Sequence, residues 1–339
     1  NTRGTWNLLG GTIRGGTIDR TESNTLTTTS GTLQDVTVNM PLLVAGGAAL
    51  TVENLTLNEL LTLGDATTPS HGQLNVVGGS AQTILGSGGI DIDYLGYIFN
   101  LTYDSVLGVG DDLTFASTIE VNASGFAVIQ SVYTGGRVVN NSTMTFTAPD
   151  SFYTVTLGGH STQFINNGSI SIGDQLSATA TNLINNPGRT IAVTNATLSL
   201  TDDGEAGLNS WDNNGTIALS NSASLYLGGF LTQSDIGSVA RSGVTNVHLS
   251  GVLDNVAQTL VLDNSIRSVI VSAGTVRGGT VQPSPTSTFT IQSGTLDGVR
   301  LQGVTAVTGS ASILGSLTLD LATVNLGETG VAGGGLPRS

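Results

Sequence analysis

Cysteine is absent from this 339-residue chain, and so is lysine; its ten basic residues are all arginine. Aromatic residues make up 5% and charged residues 10%, far below the quarter usual for charged residues in a globular domain. Each shortage excludes something. Without Cys there are no disulfides or thiolate metal sites, which suits an extracellular rod whose long core needs no covalent staples. Ten arginines against 24 acidic residues leave a net charge of −14, which argues against nucleic acid and against an anionic membrane surface as partners. No apolar run approaches the roughly 18 residues of a membrane helix, so membrane insertion is not expected. Asn1-Thr2-Arg3 is not a secretory leader, as expected if a leader was removed or if this is a segment of a longer chain. What is present is 47 Gly, a hydrophobic fraction of 38% carried by Val, Ile, Leu and Ala, and abundant Thr, Ser and Asn. That mixture favours strands and tight turns, and it is too apolar and too weakly charged for disorder.

The chain repeats itself. Gly11-Thr12-Ile13-Arg14-Gly15-Gly16-Thr17-Ile18 returns as Gly274-Thr275-Val276-Arg277-Gly278-Gly279-Thr280-Val281, and the match runs without a gap through Ser30-Gly31-Thr32-Leu33 and Ser293-Gly294-Thr295-Leu296. Residues 11–57 thus recur at 274–319. Apolar spacing alone can be imposed by a core, but Arg14 and Arg277 in the same slot of an Arg-poor chain point to duplication of a long unit. The expectation is one unit plus the start of a second, from a tandem array that joins end to end.

A second signature occupies the middle. Val138-Val139-Asn140-Asn141, Phe164-Ile165-Asn166-Asn167, Leu183-Ile184-Asn185-Asn186 and Trp211-Asp212-Asn213-Asn214 each place bulky residues before an Asn pair and an apolar strand after it. Asn tolerates left-handed backbone and suits a sharp corner. Stacked coil on coil, such residues can form a ladder of side-chain amides.

Short strands between Gly or Asn corners cannot bury their apolar face alone. Stacked in parallel at about 4.8 Å per layer, they form a continuous core. The expected fold is all-β: a right-handed parallel β-helix, or β-solenoid, with Gly and Asn corner turns. It spans residues 1–331 as one elongated domain, with 332–339 as a linker or tail. At ~20–25 residues per coil it would have on the order of fifteen coils and a length of about 70 Å. The Gly-Thr-Ile/Val/Leu coils and the Asn-Asn-Gly-Thr-Ile turns resemble bacterial surface β-solenoids, namely autotransporter passengers and filamentous-haemagglutinin-type adhesins. The resemblance implies a secreted or surface-attached rod that adheres, builds a fibre or carries other modules.

Chemistry is sparse. Many right-handed β-helices cut acidic polysaccharides with clustered Asp, and glycoside hydrolysis needs two carboxylates. The dense acidic groups are Asp111-Asp112 and Asp202-Asp203-Gly204-Glu205, neither with a basic residue close in sequence. Neighbouring strand residues face opposite ways, so these read as solvated turn residues. Gly88-Gly89-Ile90-Asp91-Ile92-Asp93 has the spacing of a calcium repeat, but it occurs once where a stack is required. His71, His160 and His248 are too scattered for metal ligation. Thr25-Leu26-Thr27 and Thr143-Met144-Thr145-Phe146-Thr147 put Thr on one face, as ice-binding arrays do, though not in every coil. The Asn-x-Ser/Thr triplets at Asn54, Asn100, Asn122, Asn140, Asn141, Asn167, Asn195 and Asn214 follow from an Asn-, Ser- and Thr-rich composition. The sequence therefore predicts a non-enzymatic extracellular rod without metal or cofactor, whose partners are further copies of itself and surface glycans. A polysaccharide-degrading β-helix enzyme is the alternative.

Overall fold

A computed structural model describes residues 6–19, 24–64, 70–148, 152–204, 211–263 and 266–327. Strands make up 66% of it, stacked in parallel into a β-solenoid of about 12 turns. The expected fifteen coils are too many because coil length varies. Leu26 pairs with Leu42, sixteen residues on, whereas Ile90 pairs with Val121, thirty-one residues on. The long coil carries a hairpin in which Tyr103 faces Gly110 and Asp104 faces Val109, the antiparallel exception among the described strand pairings.

Each central coil has three faces. On the first, Leu61, Ile90, Val121, Met144, Ile170, Ile191, Ile217 and Val239 lie in direct register and point inward as one buried column. The alternation of buried and outward residues along every strand produces this, because strand side chains change face at each step. The second face stacks Leu95–Asp104, Phe126–Ser131, Thr154–Leu157 and Ser177–Thr181. The third stacks Asp112–Phe115, Arg137–Asn140, Gln163–Asn166 and Leu183–Asn185. Phe115, Phe146, Phe164 and Trp211 are fully buried in the core, and the Trp211 indole N–H donates to Gly228 O at 2.8 Å.

Helix is confined to one turn, Gln233–Ile236, among the described residues. No described helix is long and apolar enough to cross a membrane. The final strand, Phe289–Leu326, wraps round the axis rather than running straight: Gly327 N donates to Val307 O at 3.0 Å, and Arg300 and Gln302 both reach Asp320. The tail assigned to residues 332–339 lies outside the described residues.

Candidate functional site

The Asn pairs lie at one corner of successive coils. Asn140, Asn166, Asn185 and Asn213 are all buried and form an amide chain. Asn140 Nδ2 donates to Asn166 Oδ1 at 2.9 Å, Asn166 to Asn185 at 2.8 Å and Asn185 to Asn213 at 2.7 Å. Asn213 then donates to Ile236 O at 2.8 Å and Ser238 O at 3.1 Å, which ties the one-turn helix to the stack. A buried amide without partners costs about 1–3 kcal/mol, so the chain is what makes Asn tolerable in the core. Their partners Asn141, Asn167 and Asn186 form an outer row of the same kind. Asn214 leaves that row and bonds Asp212 in its own coil at 2.7 Å. Left-handed backbone is not the reason for Asn at these corners. The described Asn residues with positive φ are Asn54, Asn182, Asn195 and Asn221.

The two copies of the octapeptide turn the same corner. Gly15 and Gly16 have φ of 68° and 85°, and Gly278 and Gly279 have 70° and 65°. Gly15 N donates to Gln34 O at 2.8 Å, and Gly278 N to Asp297 O at 2.7 Å. Thr37 N donates to Gly16 O at 3.0 Å, and Arg300 N to Gly279 O at 2.9 Å. Arg14 pairs in register with Gln34, Arg277 with Asp297, and both arginines are exposed. The copies diverge at their first residue. Gly11 has φ +80° and open space around it, whereas Gly274 is packed under Leu249 O, with the left-handed position moved back to Ala273.

The acidic pairs do not converge. Asp112 forms a two-pronged ion pair with Arg137 of the next coil, Nε–Oδ1 2.7 Å and Nη2–Oδ2 2.6 Å, which holds the Arg137 pKa above its ordinary value. Asp111 offers its backbone carbonyl to Asn100 Nδ2 at 2.7 Å. Asp202 accepts from Phe230 N at 2.7 Å, one coil ahead. Asp203 points the other way and accepts from Ser161 N and from Asn182 Nδ2 at 3.1 Å, with His160 Nδ1 3.8 Å away. The expectation of solvated turn residues fails for Asp203, whose side chain is 6% exposed. Its carboxylate anchors backbone of earlier coils. Glu205 lies outside the described residues.

The histidines stay apart. His71 packs on Tyr97 with ring centroids 4.6 Å apart, and His160 is exposed beside Asp203. His248 stacks on Tyr226 at 4.4 Å, and its Nδ1 meets Ser272 Oγ at 2.9 Å. Burial, and then the charge of Arg241, push the His248 pKa below 6.5. Arg241 is itself half-buried; it donates to Thr245 Oγ1 and to the carbonyls of Thr245, Ile266 and Ser268, all neutral oxygens. Among the described residues no group of three or more His, Asp or Glu could hold a metal ion.

Carboxylates do gather around the Gly88–Asp93 segment, which the sequence marks only as an isolated calcium-like spacing. On the outer side of the first face, two concavities of about 470 and 420 Å³ adjoin and share Asp91 and Asn122. One adds Thr62, Asp93, Ser124, Thr145 and Thr147; the other adds Asn58, Glu59, Leu60, Ser87 and Glu120. Gly89, outward on its strand and without a side chain, leaves the middle coil a low floor between Glu59 and Glu120, while Gly88 lets the coils approach closely, since a Cβ there would lie 2.2 Å from Glu59 O. Asp91 and Asp93 both border the groove, and Asn122 Nδ2 donates to Asp91 Oδ1 at 3.2 Å. Glu59 and Glu120 are absent from the sequence-level candidates, and Asn122 enters there only as an Asn-x-Ser triplet, because no local spacing links them to Asp91. Register across coils of 29 and 31 residues does: Asp91 pairs with Thr62 behind and Asn122 ahead.

The stripe with Thr145 continues as Ser171, Ala192 and Ala218, so the flat Thr array of an ice-binding face lapses within two coils. No protein-family model and no curated protein sequence matches this chain; what it is similar to is therefore a fold, the parallel β-solenoid.

Proposed function

We propose that this chain is a non-enzymatic structural or adhesive rod of the bacterial cell surface, of the kind found in autotransporter passengers and filamentous-haemagglutinin-type adhesins, acting outside the cell. The observation that carries the reading is the fate of the acidic pairs: Asp112 is held by Arg137, while Asp202 and Asp203 bond in opposite directions along the rod. Carboxylates engaged in this way bind coil to coil. The duplicated corner supports the fibre element of the reading, since Gly15–Gln34 and Gly278–Asp297 repeat one inter-coil bond in two copies. Tandem copies or end-to-end association of such units give a longer rod.

The competing reading is a polysaccharide-degrading β-helix enzyme. It is favoured by the carboxylates of Asp91, Glu59 and Glu120 along one groove, because glycoside hydrolysis uses two carboxylates flanking a bond. A turnover screen of the full chain on acidic and neutral polysaccharides separates the two. The rod reading expects no product above blank. Product formation that disappears in Asp91→Asn or Glu120→Gln overturns it. Sedimentation over a range of concentrations tests association, expected as a rising mean mass.

A further inference from the structure

We propose that the groove around Asp91 and Asn122 binds a neutral glycan chain laid along the rod axis; this deepens the surface-adhesion reading and rests on it. Three features carry the assignment. The first is repeat length. Thr62, Asp91, Asn122 and Thr145 stand in direct register on four successive coils, so the groove offers one polar side chain per layer. Layers are about 4.8 Å apart, close to the length of one pyranose unit. A sugar chain along the axis therefore meets a new hydrogen-bonding side chain with each residue, in the order hydroxyl, carboxylate, amide, hydroxyl. The Asn122–Asp91 bond orients both groups and leaves further acceptor sites on each, which is what sugar hydroxyls require.

The second feature is an aromatic corner, one step along the chain from Asp93, where Tyr153 packs partly against the core. Tyr94 follows Asp93 directly, and Tyr94, Gly125 and Tyr153 occupy the same corner of three successive coils, as the pairings Leu95–Phe126 and Val128–Thr156 fix. Gly125 contributes no side chain, and the two tyrosine rings meet across it edge to face, 5.8 Å apart. Tyrosine presents a broad apolar face with a polar tip, suited to packing against the C–H face of a pyranose. Tyr97, stacked on Phe99 at 5.4 Å, extends the aromatic surface round the corner.

The third feature is charge, which selects among glycans. Glu59, Asp91, Asp93 and Glu120 border the groove, and among the described residues no basic one does. A uronic or sulfated chain would meet like charges at close range, whereas a neutral chain meets carboxylate acceptors together with hydroxyl and amide groups that both donate and accept.

The test uses the full chain. Binding is measured by calorimetry at physiological salt with neutral oligosaccharides of glucose, mannose and N-acetylglucosamine, with oligogalacturonate as the acidic comparator and oligolysine as a cationic one. Gly89→Gln fills the groove from its floor at a position without positive φ, and Asn122→Ala removes the central amide. Ser171→Gln, further along the same face, is the control, and circular dichroism melts establish that each variant folds. The expected result is binding of at least one neutral series, weakened about ten-fold or more by Gly89→Gln and Asn122→Ala and unchanged by Ser171→Gln. If neutral glycans bind equally to wild type and Gly89→Gln, the groove assignment falls and adhesion stands. If only oligogalacturonate or oligolysine binds, the neutral-glycan assignment falls. Cleavage of the bound neutral chain, lost in Gly89→Gln, upholds the groove and overturns the non-enzymatic reading. No binding to any series removes both.

Discussion

The octapeptide appears twice in one molecule, in two settings. In the first copy, Gly16 turns its corner with nothing within 4 Å of where a Cβ would stand; in the second, Gly279 turns the same corner with Asn255 O 1.9 Å from that point. Backbone angles and inter-coil bonds are the same, yet the second copy is packed beneath another coil, Val252–Asp254, in register with Thr275–Arg277. The comparison separates two demands on glycine. One is conformational and belongs to the corner itself. The other is steric and arises only when a coil stacks on the other side.

Substitutions can pull these apart. The largest effect is expected for Gly279→Ala, which combines left-handed backbone with a methyl driven into a main-chain carbonyl. The backbone term, about 1–2 kcal/mol, and the steric term, about 1–3 kcal/mol, add to a loss of several kcal/mol in urea melts. Next comes Asn255→Ala. Asn255 is buried and donates to Thr280 O at 3.0 Å and Gly278 O at 3.4 Å, clamping the second corner from below. Its loss leaves those carbonyls short of a donor and should cost about 1–3 kcal/mol, with hydrogen exchange faster at Gly278–Val281 than at Gly15–Ile18.

A pH dependence should also arise in the coil stacked beneath the second copy. Above about pH 6.5 the imidazole of His248 is neutral in both the folded and unfolded chain. As pH falls, the unfolded chain takes up the proton first, because burial and Arg241 hold the folded pKa below 6.5. Stability should therefore fall with pH from about 6.5 down to the folded value and level off below it. His248→Gln should flatten that segment of the Tm–pH curve; an unchanged slope would assign it to other groups. The smallest effect is expected at Gly16→Ala, about 1 kcal/mol from backbone conformation alone. Equal losses at Gly16 and Gly279 would mean that the stacked coil adds no steric demand.

The parts of the molecule legible in the sequence are those governed by strand alternation and corner chemistry. Ile170-Ser171-Ile172 and Thr197-Leu198-Ser199-Leu200 state which side chains enter the core, because inward and outward positions alternate at every residue. The buried Asn column was legible for a related reason: Asn140, Asn166 and Asn185 each follow a bulky strand residue, Asn213 stands two after Trp211, and all four precede the next strand. Contacts between coils were not legible. Asp203 reaches Ser161, 42 residues back, and Asp91 meets Asn122 only because a long coil separates them. With coils of sixteen to thirty-one residues, no fixed period tells which outward residues become neighbours. The groove floor is low at Gly89, where a missing side chain matters, and the Gly88-Gly89 pair stands out in the sequence only for a calcium-like spacing, not for that role.

The amide chain through Asn140, Asn166, Asn185 and Asn213 has an arrow. Every link donates toward the C-terminal coil and accepts from the N-terminal one. The bond dipoles of such a column add head to tail and polarise one another. A newly duplicated coil that carries Asn at this position finds an acceptor ahead and a donor behind, so it can be spliced into the interior without new chemistry. An amide turned the opposite way within this column would set two N–H groups against each other, whereas the outer row of Asn141, Asn167 and Asn186 runs wholly in the reverse sense. The column thus acts as a grammar for lengthening the molecule: it accepts insertions of any loop length, provided each new coil carries Asn in this slot.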